Sequence, residues 1–359
     1  MTQRERQILK WIEENPMISQ QELADKAGIT RSSVAVHISN LMKQGHIAGK
    51  GYIVRTAPYA VVVGGVNLDI GGRSLGELVP EDSNPGQVRT SLGGVGRNIA
   101  HNLALRGVDG RLLTALGDEL TAQRIAASCG ELGIDISQCL TVPGGSTSTY
   151  LFIADHKGDM ALAVSDMEIY DHITPAFLTG RSRLLQNAQL LVVDTNIPAQ
   201  SIAWLADNIR LPIFADPVST AKAEKLRPVL GKLHTLKPNR LEAQLLSGVT
   251  ITDEASLHAA ADALLDTGLR RVFISLGGDG MLAADHHQRL HVPCCPGRMV
   301  NTTGCGDAGM AAIAWAYLEG TDLEGPARAA MAAGAIAMES GETINPSMSA
   351  QLLKKRMEA

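Results

Sequence analysis

Asn301-Thr302-Thr303-Gly304-Cys305-Gly306-Asp307-Ala308-Gly309-Met310, followed by an apolar run over 311–318, is the stretch that decides how this 359-residue chain is read. Small residues that give way abruptly to a helix-forming run leave the first N–H groups of the helix without partners, at the positive end of its dipole. Such an end is an anion seat. Asp307, in the first turn, is poorly placed to hold an anion itself. It is well placed to accept a proton from a hydroxyl attacking one, which points to phosphoryl transfer to an alcohol. Taken alone, the same carboxylate is equally a stabilising first-turn residue and the glycines a plain turn, so companion motifs must decide.

Upstream of this stretch, apolar β runs alternate with helical patterns. Residues 59–65, 112–116, 190–193, 213–215, 235–236 and 272–276 read as strands with helices between them, the pattern of an α/β, mostly parallel sheet covered by helices on both faces. Two segments break the rhythm: residues 70–92, and the runs 147–154 and 160–164 joined by His156-Lys157-Gly158-Asp159. They read as a small antiparallel β flap, a lid that keeps water from a crevice at the sheet edge. The strand before 66 delivers Asn67 and Asp69 to its C-terminal end, where open α/β sheets bind ligands. There an amide and a carboxylate can make paired hydrogen bonds to neighbouring hydroxyls. They are also ordinary residues for a turn.

Leu92-Gly93-Gly94-Val95-Gly96-Arg97-Asn98-Ile99-Ala100 comes next. It does not satisfy the G-x-G-x-x-G dinucleotide fingerprint, because Ile99 stands where the last glycine belongs and no strand directly precedes the glycines. With Gly107 and Gly117 at their spacings, it matches the first signature of the ribokinase-like (PfkB) sugar and nucleoside kinases. Residues 301–314 match the second, and Lys237-Pro238-Asn239-Arg240-Leu241-Glu242 carries the family's Asn-x-x-Glu motif between them. The resemblance runs from about residue 60 to the end of the chain. The runs 83–86, 93–100, 234–243 and 275–280 look like the pseudouridine kinase branch of that family.

The resemblance implies an ATP- and Mg²⁺-dependent kinase acting on the 5′-hydroxyl of a ribosyl group. Asp307 matches the family's catalytic base, and the backbone of Gly304, Cys305 and Gly306 its anion hole. Asn67, Asp69, Gly93, Gly94 and Asn98 match its sugar contacts, with Thr149 and Asp166 as further acceptor candidates, although flap structure alone would account for Thr149. Asn196 stands where ribokinases carry Glu, a departure that argues against plain ribose. Asn239, Ser275, Gly277 and Gly280 correspond to nucleotide-binding positions. Glu242 corresponds to the residue that organises Mg²⁺, a hard ion that keeps much of its water, so that one carboxylate acting partly through water suffices. Asn301 replaces an Asp often found beside a monovalent-cation site, which leaves K⁺ dependence an open expectation. Most relatives carry Ala at Cys305.

Composition sets outer limits. With 45% apolar and 19% charged residues and no apolar run near the roughly 18 residues of a membrane span, the expectation is a soluble, cytoplasmic protein without a membrane partner. The first six residues lack the apolar core of a secretory signal. Five cysteines (129, 139, 294, 295 and 305) contain no C-x-x-C pair and signal neither a disulfide framework nor a zinc site. Cys305 lies where a helix terminus would stabilise a thiolate, though simple packing of a small residue is the preferred explanation.

Charge divides the chain at about residue 57. Residues 1–57 hold eight Lys/Arg against five Asp/Glu, a balance of +3, which leaves −8 on the rest. Within this basic head three helical patterns succeed one another, over 4–14, 19–27 and 30–44. Ser19-Gln20-Gln21-Glu22 forms a capping box and Gly28 a tight turn. Val34, Ile38 and Leu41 recur at helical spacing, leaving Arg31, Ser32, Ser33, His37 and Ser39 facing out. With a Gly-punctuated hairpin at 45–54, the order resembles a winged helix-turn-helix whose recognition helix is 30–43 and whose wing carries Lys50. The expected organisation is therefore a DNA-binding domain over 1–57 and a kinase domain over 58–359, assembled as a homodimer. Two alternatives stay open: a kinase for another nucleoside or sugar, and a transcriptional regulator whose kinase-like body senses a small molecule.

Overall fold

The computed structural model describes residues 1–47 and 58–358, and the chain separates into two compact units, Met1–Pro58 and Tyr59–Ala359. In the first, helices Gln3–Glu14, Gln20–Ala27 and Arg31–Lys43 enclose a small core of Ile8, Ile12, Leu23, Val34, Ile38 and Leu41. The capping box forms as the sequence spells it: the Glu22 N–H donates to Ser19 Oγ at 3.1 Å and the Ser19 N–H to Glu22 Oε2 at 2.7 Å. His37 departs from expectation. It is half-buried, because its ring turns toward the buried Glu5, with Nδ1 3.9 Å from that carboxylate. The expected wing, with Lys50, lies outside the described residues beyond 47.

In the second unit the strands are β1 (Tyr59–Val63), β2 (Asn67–Ser74), β3 (Gly86–Gly93), β4 (Asp109–Leu113), β5 (Ala115–Leu116), β6 (Leu140–Thr141), β7 (Thr149–Ala154), β8 (Met160–Asp166), β9 (Leu190–Asp194), β10 (Ile213–Asp216), β11 (Thr235–Leu236), β12 (Arg271–Ser275), β13 (Met281–Asp285) and β14 (Arg289–Val292). Eight of them form one sheet in the order β14-β13-β12-β11-β10-β9-β1-β4. The sheet is parallel from β4 to β12 and antiparallel across β13 and β14.

The central strands are buried on both faces, which is why they read as unbroken apolar runs. Val61, Val63, Leu191 and Val193 point into one core layer, and Ala60, Val62, Leu190 and Val192 into the other. The second layer is closed by two alanine-rich helices, Cys305–Leu318 and Glu324–Met338, whose small side chains let them lie against the sheet and each other. Each fully buried Val or Leu contributes about 1.5–3 kcal/mol, so the anion-seat helix rests on a rigid base.

The flap is a second sheet in the order β3-β2-β7-β8. It is not wholly antiparallel as expected, because β2 and β7 pair in parallel. They come from separate excursions of the chain, and only the hairpin-connected neighbours β2/β3 and β7/β8 are constrained to run antiparallel. Asn67 and Asp69 therefore begin the flap at its root, where β2 leaves the main sheet, rather than ending β1. The single strand expected over 112–116 is divided at Thr114 into β4 and β5. Among the described residues no helix is long and apolar enough to cross a membrane.

Candidate active site

The two glycine signatures meet at the C-terminal edge of β1. Gly94, with φ 95°, starts the helix Val95–Ala104. A side chain there would be driven against the Gly65 carbonyl, 2.5 Å from where its Cβ would sit, so glycine is required by both torsion and space. The resulting close approach aims Asn98 across the cleft, where its Nδ2 donates to Asp307 Oδ2 at 2.8 Å. Among the described residues the buried Asn98 Oδ1 has no hydrogen-bond partner.

Asp307 sits in the first turn of the helix Cys305–Leu318, recessed from the surface without being sealed off. Desolvation and the charge of Asp216 push its pKa up to about 7, against the pull of the Asn98 hydrogen bond and the Lys237 ammonium. At neutral pH such a carboxylate accepts a proton far more readily than an ordinary aspartate.

Gly304 caps this helix in the left-handed region, φ 84°, where the Thr343 carbonyl occupies the space a side chain would need. The first intrahelical bond runs from the Ala308 N–H to the Gly304 carbonyl at 2.9 Å. The expected anion hole is modified in one respect: the Cys305 N–H already leans on the Thr302 carbonyl at 3.3 Å, a turn bond. Among the described residues the N–H groups of Gly304, Gly306 and Asp307 have no acceptor, so these are the open donors. The Cys305 side chain is a thiol rather than a thiolate. Burial raises its pKa and Asp307 adds to the effect, while Sγ lies 3.5 Å from the Gly334 carbonyl to which it donates.

At the flap root the Asn67 amide donates to Asp69 Oδ1, and desolvation lifts Asp69 to about 6 against the pull of that bond and of Arg97. Gly93 pairs with Asn67 across β2 and β3, and the absence of a side chain there is what gives the Asp69 carboxylate its room. Thr149 and Asp166 face each other across β7 and β8. Asp166 is exposed and Thr149 donates to the Thr147 carbonyl at 3.3 Å, so neither joins the Asn67–Asp69 or Asn98–Asp307 pair by a hydrogen bond. Asn196 follows β9, its N–H donating to the buried Asp194 Oδ1 at 2.8 Å. Asp194 Oδ2 accepts from the Gly65 N–H, also at 2.8 Å.

On the other side of the Asp307 helix lies a cavity of about 540 Å³, lined by Asn239, Ser275, Gly277 and Gly280 together with Cys305 and Gly306. Asn239 and Glu242 form a capping box at the start of the helix Arg240–Ser247, each N–H donating to the other's side-chain oxygen at 2.8 and 2.9 Å. The Asn-x-x-Glu motif is thus itself a helix start, with one Glu242 oxygen committed to it and the other left over. Burial raises the Glu242 pKa, the Asn239 N–H opposes that rise, and the charge of Asp216 adds to it. Asn301 Oδ1 accepts from the Thr303 N–H at 3.0 Å. Among the described residues no three His, Cys, Asp or Glu side chains form a ready metal cage. A lone Glu242 oxygen beside a phosphate seat fits Mg²⁺, which is commonly held by one or two carboxylates plus water and phosphate oxygens.

Reading the sequence left two members of this site without a role. Lys237, buried at 6% exposure, places Nζ 3.2 Å from Asp216 Oδ2, also 6% exposed, and lines this cavity beside Gly306. Burial works against its charge, but Asp216 and Glu242 more than offset that and keep it an ammonium. The available signal was a lysine immediately before the Pro-Asn of the Asn-x-x-Glu motif.

The family model described as pfkB family carbohydrate kinase matches residues 57–350, and the one described as winged helix-turn-helix DNA-binding matches residues 1–47. The chain is 39% identical over 354 residues to the uncharacterized sugar kinase YeiI of Escherichia coli (strain K12), covering 98% of this chain and 97% of that protein. It is 38% identical over 299 residues to the pseudouridine kinase of the same organism, covering 82% and 95%. Among solved structures it is similar to a putative sugar kinase from Clostridium perfringens, with TM-score 0.77 and 32% identity over 85% of this chain and 96% of that one.

Proposed function

The chain belongs to the pfkB family of carbohydrate kinases, and from that premise we propose that it phosphorylates the 5′-hydroxyl of a ribosyl nucleoside, pseudouridine foremost, at the expense of ATP. The observation that carries the reading is the Asn98–Asp307 pair at 2.8 Å beside the open amides of Gly304 and Gly306. A proton acceptor and an anion seat stand within one helical turn. The choice of acceptor is supported by the 38% identity with the pseudouridine kinase and by Asn196 in place of the ribokinase Glu.

In the proposed reaction Asn67 and Asp69 take hydrogen bonds from the ribosyl hydroxyls, and Asp307 orients the 5′-hydroxyl. As the 5′-oxygen bonds to the γ-phosphorus, the bond from that phosphorus to the leaving oxygen breaks, ADP departs, and the proton passes to Asp307. The amides of Gly304 and Gly306 and the Lys237 ammonium face the charge on the transferring group. Mg²⁺, held through Glu242 partly by water, neutralises phosphate charge when bound. Residues 239, 275, 277 and 280 give the nucleotide its cavity.

The head adds a second reading that is compatible with the first. Its three capped helices and the match over 1–47 support DNA binding by this unit. Substrate occupancy would then change DNA affinity, and DNA would change substrate affinity by the same factor. The flap exposes Val88, Leu162 and Val164 at 72%, 61% and 55%, an apolar face that supports assembly as a homodimer. The deciding experiment is an acceptor panel of pseudouridine, uridine, inosine, ribose and fructose with ATP consumption as the readout. Turnover confined to the free sugars would sink the nucleoside reading.

A further inference from the structure

Among the described residues Lys222, at the proposed acceptor end of the cleft, forms no salt bridge. Its Nζ donates to Asn196 Oδ1 at 2.6 Å and lies 3.2 Å from Met167 Sδ, and among the described residues it has no other partner. Two nearby lysines behave differently. Lys237 is paired with Asp216, and Lys225 spends its ammonium on the carbonyls of Thr195 and Ile197 at 2.8 and 3.0 Å. An ammonium carries three donors. Lys222 gives one to an amide and one to a weak thioether acceptor, and is half-buried. Desolvation pulls its pKa down, partly countered by Asp194.

Its position follows from the contacts of Asn196. The Asn196 side chain lies against Gly65, with Nδ2 2.8 Å from where a Gly65 Cβ would stand. The Gly65 carbonyl accepts from the Arg97 N–H at 3.1 Å and touches the Gly94 turn that aims Asn98 at Asp307. Met167 directly follows β8, the last strand of the flap. Lys222 therefore stands between the end of the flap and the Gly65–Gly94 corner, and it is not among the residues lining the nucleotide-side cavity.

The charge around this point selects what Lys222 can meet. Asp69, Asp194 and Asp307 all stand at the acceptor end. Their carboxylates repel an anionic substituent, whereas a free N–H donor among them suits a neutral carbonyl oxygen. A ribosyl group whose 5′-hydroxyl reaches Asp307 must direct its base away from it. We propose that Lys222 is a specificity-determining residue that donates a hydrogen bond to a carbonyl oxygen of a pyrimidine base, so that the enzyme favours a carbonyl-bearing nucleoside over a free sugar. This rests on the nucleoside reading given above.

The test uses the full chain and three acceptors: pseudouridine, ribose, and a C-linked phenyl riboside that lacks both carbonyls. A hydrogen bond from a charged group implies that Lys222→Met lowers the pseudouridine-to-ribose ratio of kcat/KM by about 10- to 100-fold. The loss should fall mainly in the KM for pseudouridine. Lys222→Arg, which keeps a charged donor, should recover part of the ratio, and the phenyl riboside-to-ribose ratio should not follow it. Equal losses on all three acceptors would mean a structural role and overturn the proposal, as would an unaltered pseudouridine-to-ribose ratio. The wild-type enzyme offers a check that does not depend on the variant folding: the phenyl riboside should be a poorer acceptor than pseudouridine by a similar factor, and parity would overturn the proposal too. Failure of the underlying nucleoside reading looks different, since wild type would then use ribose or a sugar acid and neither riboside.

Discussion

At the proposed acceptor end of the cleft Asn67, Asp69, Asn98 and Asn196 are held through their side chains, Asn67 on Asp69, Asn98 on Asp307 and Asn196 on Lys222. At the nucleotide end Ser275, Gly277, Gly280 and Gly306 offer little besides backbone and space. The Asp307 helix divides the two, its amides open toward the phosphate seat and its carboxylate held by the acceptor side. The difference separates two ways of building selectivity. Side chains with buried polar atoms reject a ligand that leaves them unpaired, whereas glycines select by what fits beside a main chain that cannot be altered by substitution. Changes on the acceptor side should therefore act on acceptor kinetics with little effect on ATP, and substitutions along the glycine-lined wall of the other side, Lys237 and Glu242 apart, should do little so long as they preserve the backbone.

The largest effect belongs to the residue on the divide. Asp307→Asn keeps the shape and the Asn98 contact but cannot take a proton, so turnover should fall by at least about 10² while the KM for ATP stays within a few-fold. The same variant should melt at a higher temperature at pH 8. The folded pKa of Asp307, about 7, lies above its ordinary value of 3.8. Its contribution to stability is therefore fully present below pH 4 and lost as pH rises through 7. At pH 8 the ionised carboxylate is a burden that Asn removes. A variant with full turnover would leave the cleft with no proton acceptor and dissolve the division between its ends.

Next in size is Asp69→Ala. In the proposed reaction the Asp69 carboxylate accepts hydrogen bonds from ribosyl hydroxyls, so the substitution should reduce acceptor kcat/KM by about 10²-fold, measured with ATP saturating. A parallel rise in the KM for ATP would show that the two ends are not separable. A smaller effect is expected from pH. Asp69 and Asp307 are both raised by burial, to about 6 and about 7, and the proposed reaction uses both ionised. Wild-type kcat/KM should therefore drop about tenfold between pH 7 and 6, and Asp69→Asn should show a shallower fall with a single ionisation.

The two ends also differ in how much of them the sequence disclosed. Asp307, Asn98 and the 304–306 turn could be placed because glycine marks the positions where the main chain has no alternative, as at Gly94 against Gly65. The central strands β1, β9 and β10 could be read because their residues are buried on both faces and so form unbroken apolar runs. Three features stayed hidden, each for a physical reason. The Lys237–Asp216 pair joins the end of β11 to the end of β10, a contact set by sheet order rather than spacing. The parallel pairing of β2 with β7 depends on where two excursions of the chain meet, which neither segment encodes. Lys222 looks like any surface lysine until Asn196 and Met167 are brought around it. Asp166 shows the reverse: the family pattern nominated it, and the fold leaves it exposed on the flap.

The smallest effect is the sharpest test of the helix start at the nucleotide end, because the Cys305 thiol belongs to the seat turn itself, whereas Lys237, Cys294 and Cys295 line the same cavity from other segments. The Cys305 Sγ donates to the Gly334 carbonyl and packs partly buried against the alanine-rich layer. Burial keeps it protonated, so it brings neither charge nor a nucleophile to the reaction. What the seat needs at this position is a residue that leaves the helix start undisturbed, and alanine supplies that equally. Cys305→Ala should hold kcat and the KM for ATP within about twofold and cost roughly 1 kcal/mol of stability or less. A maleimide should inactivate wild type slowly, with ATP protecting and the Ala variant spared at this site. A hundredfold loss of turnover in Cys305→Ala would mean that the seat turn works through a side chain rather than through its main chain, and the contrast between it and the acceptor end would no longer stand.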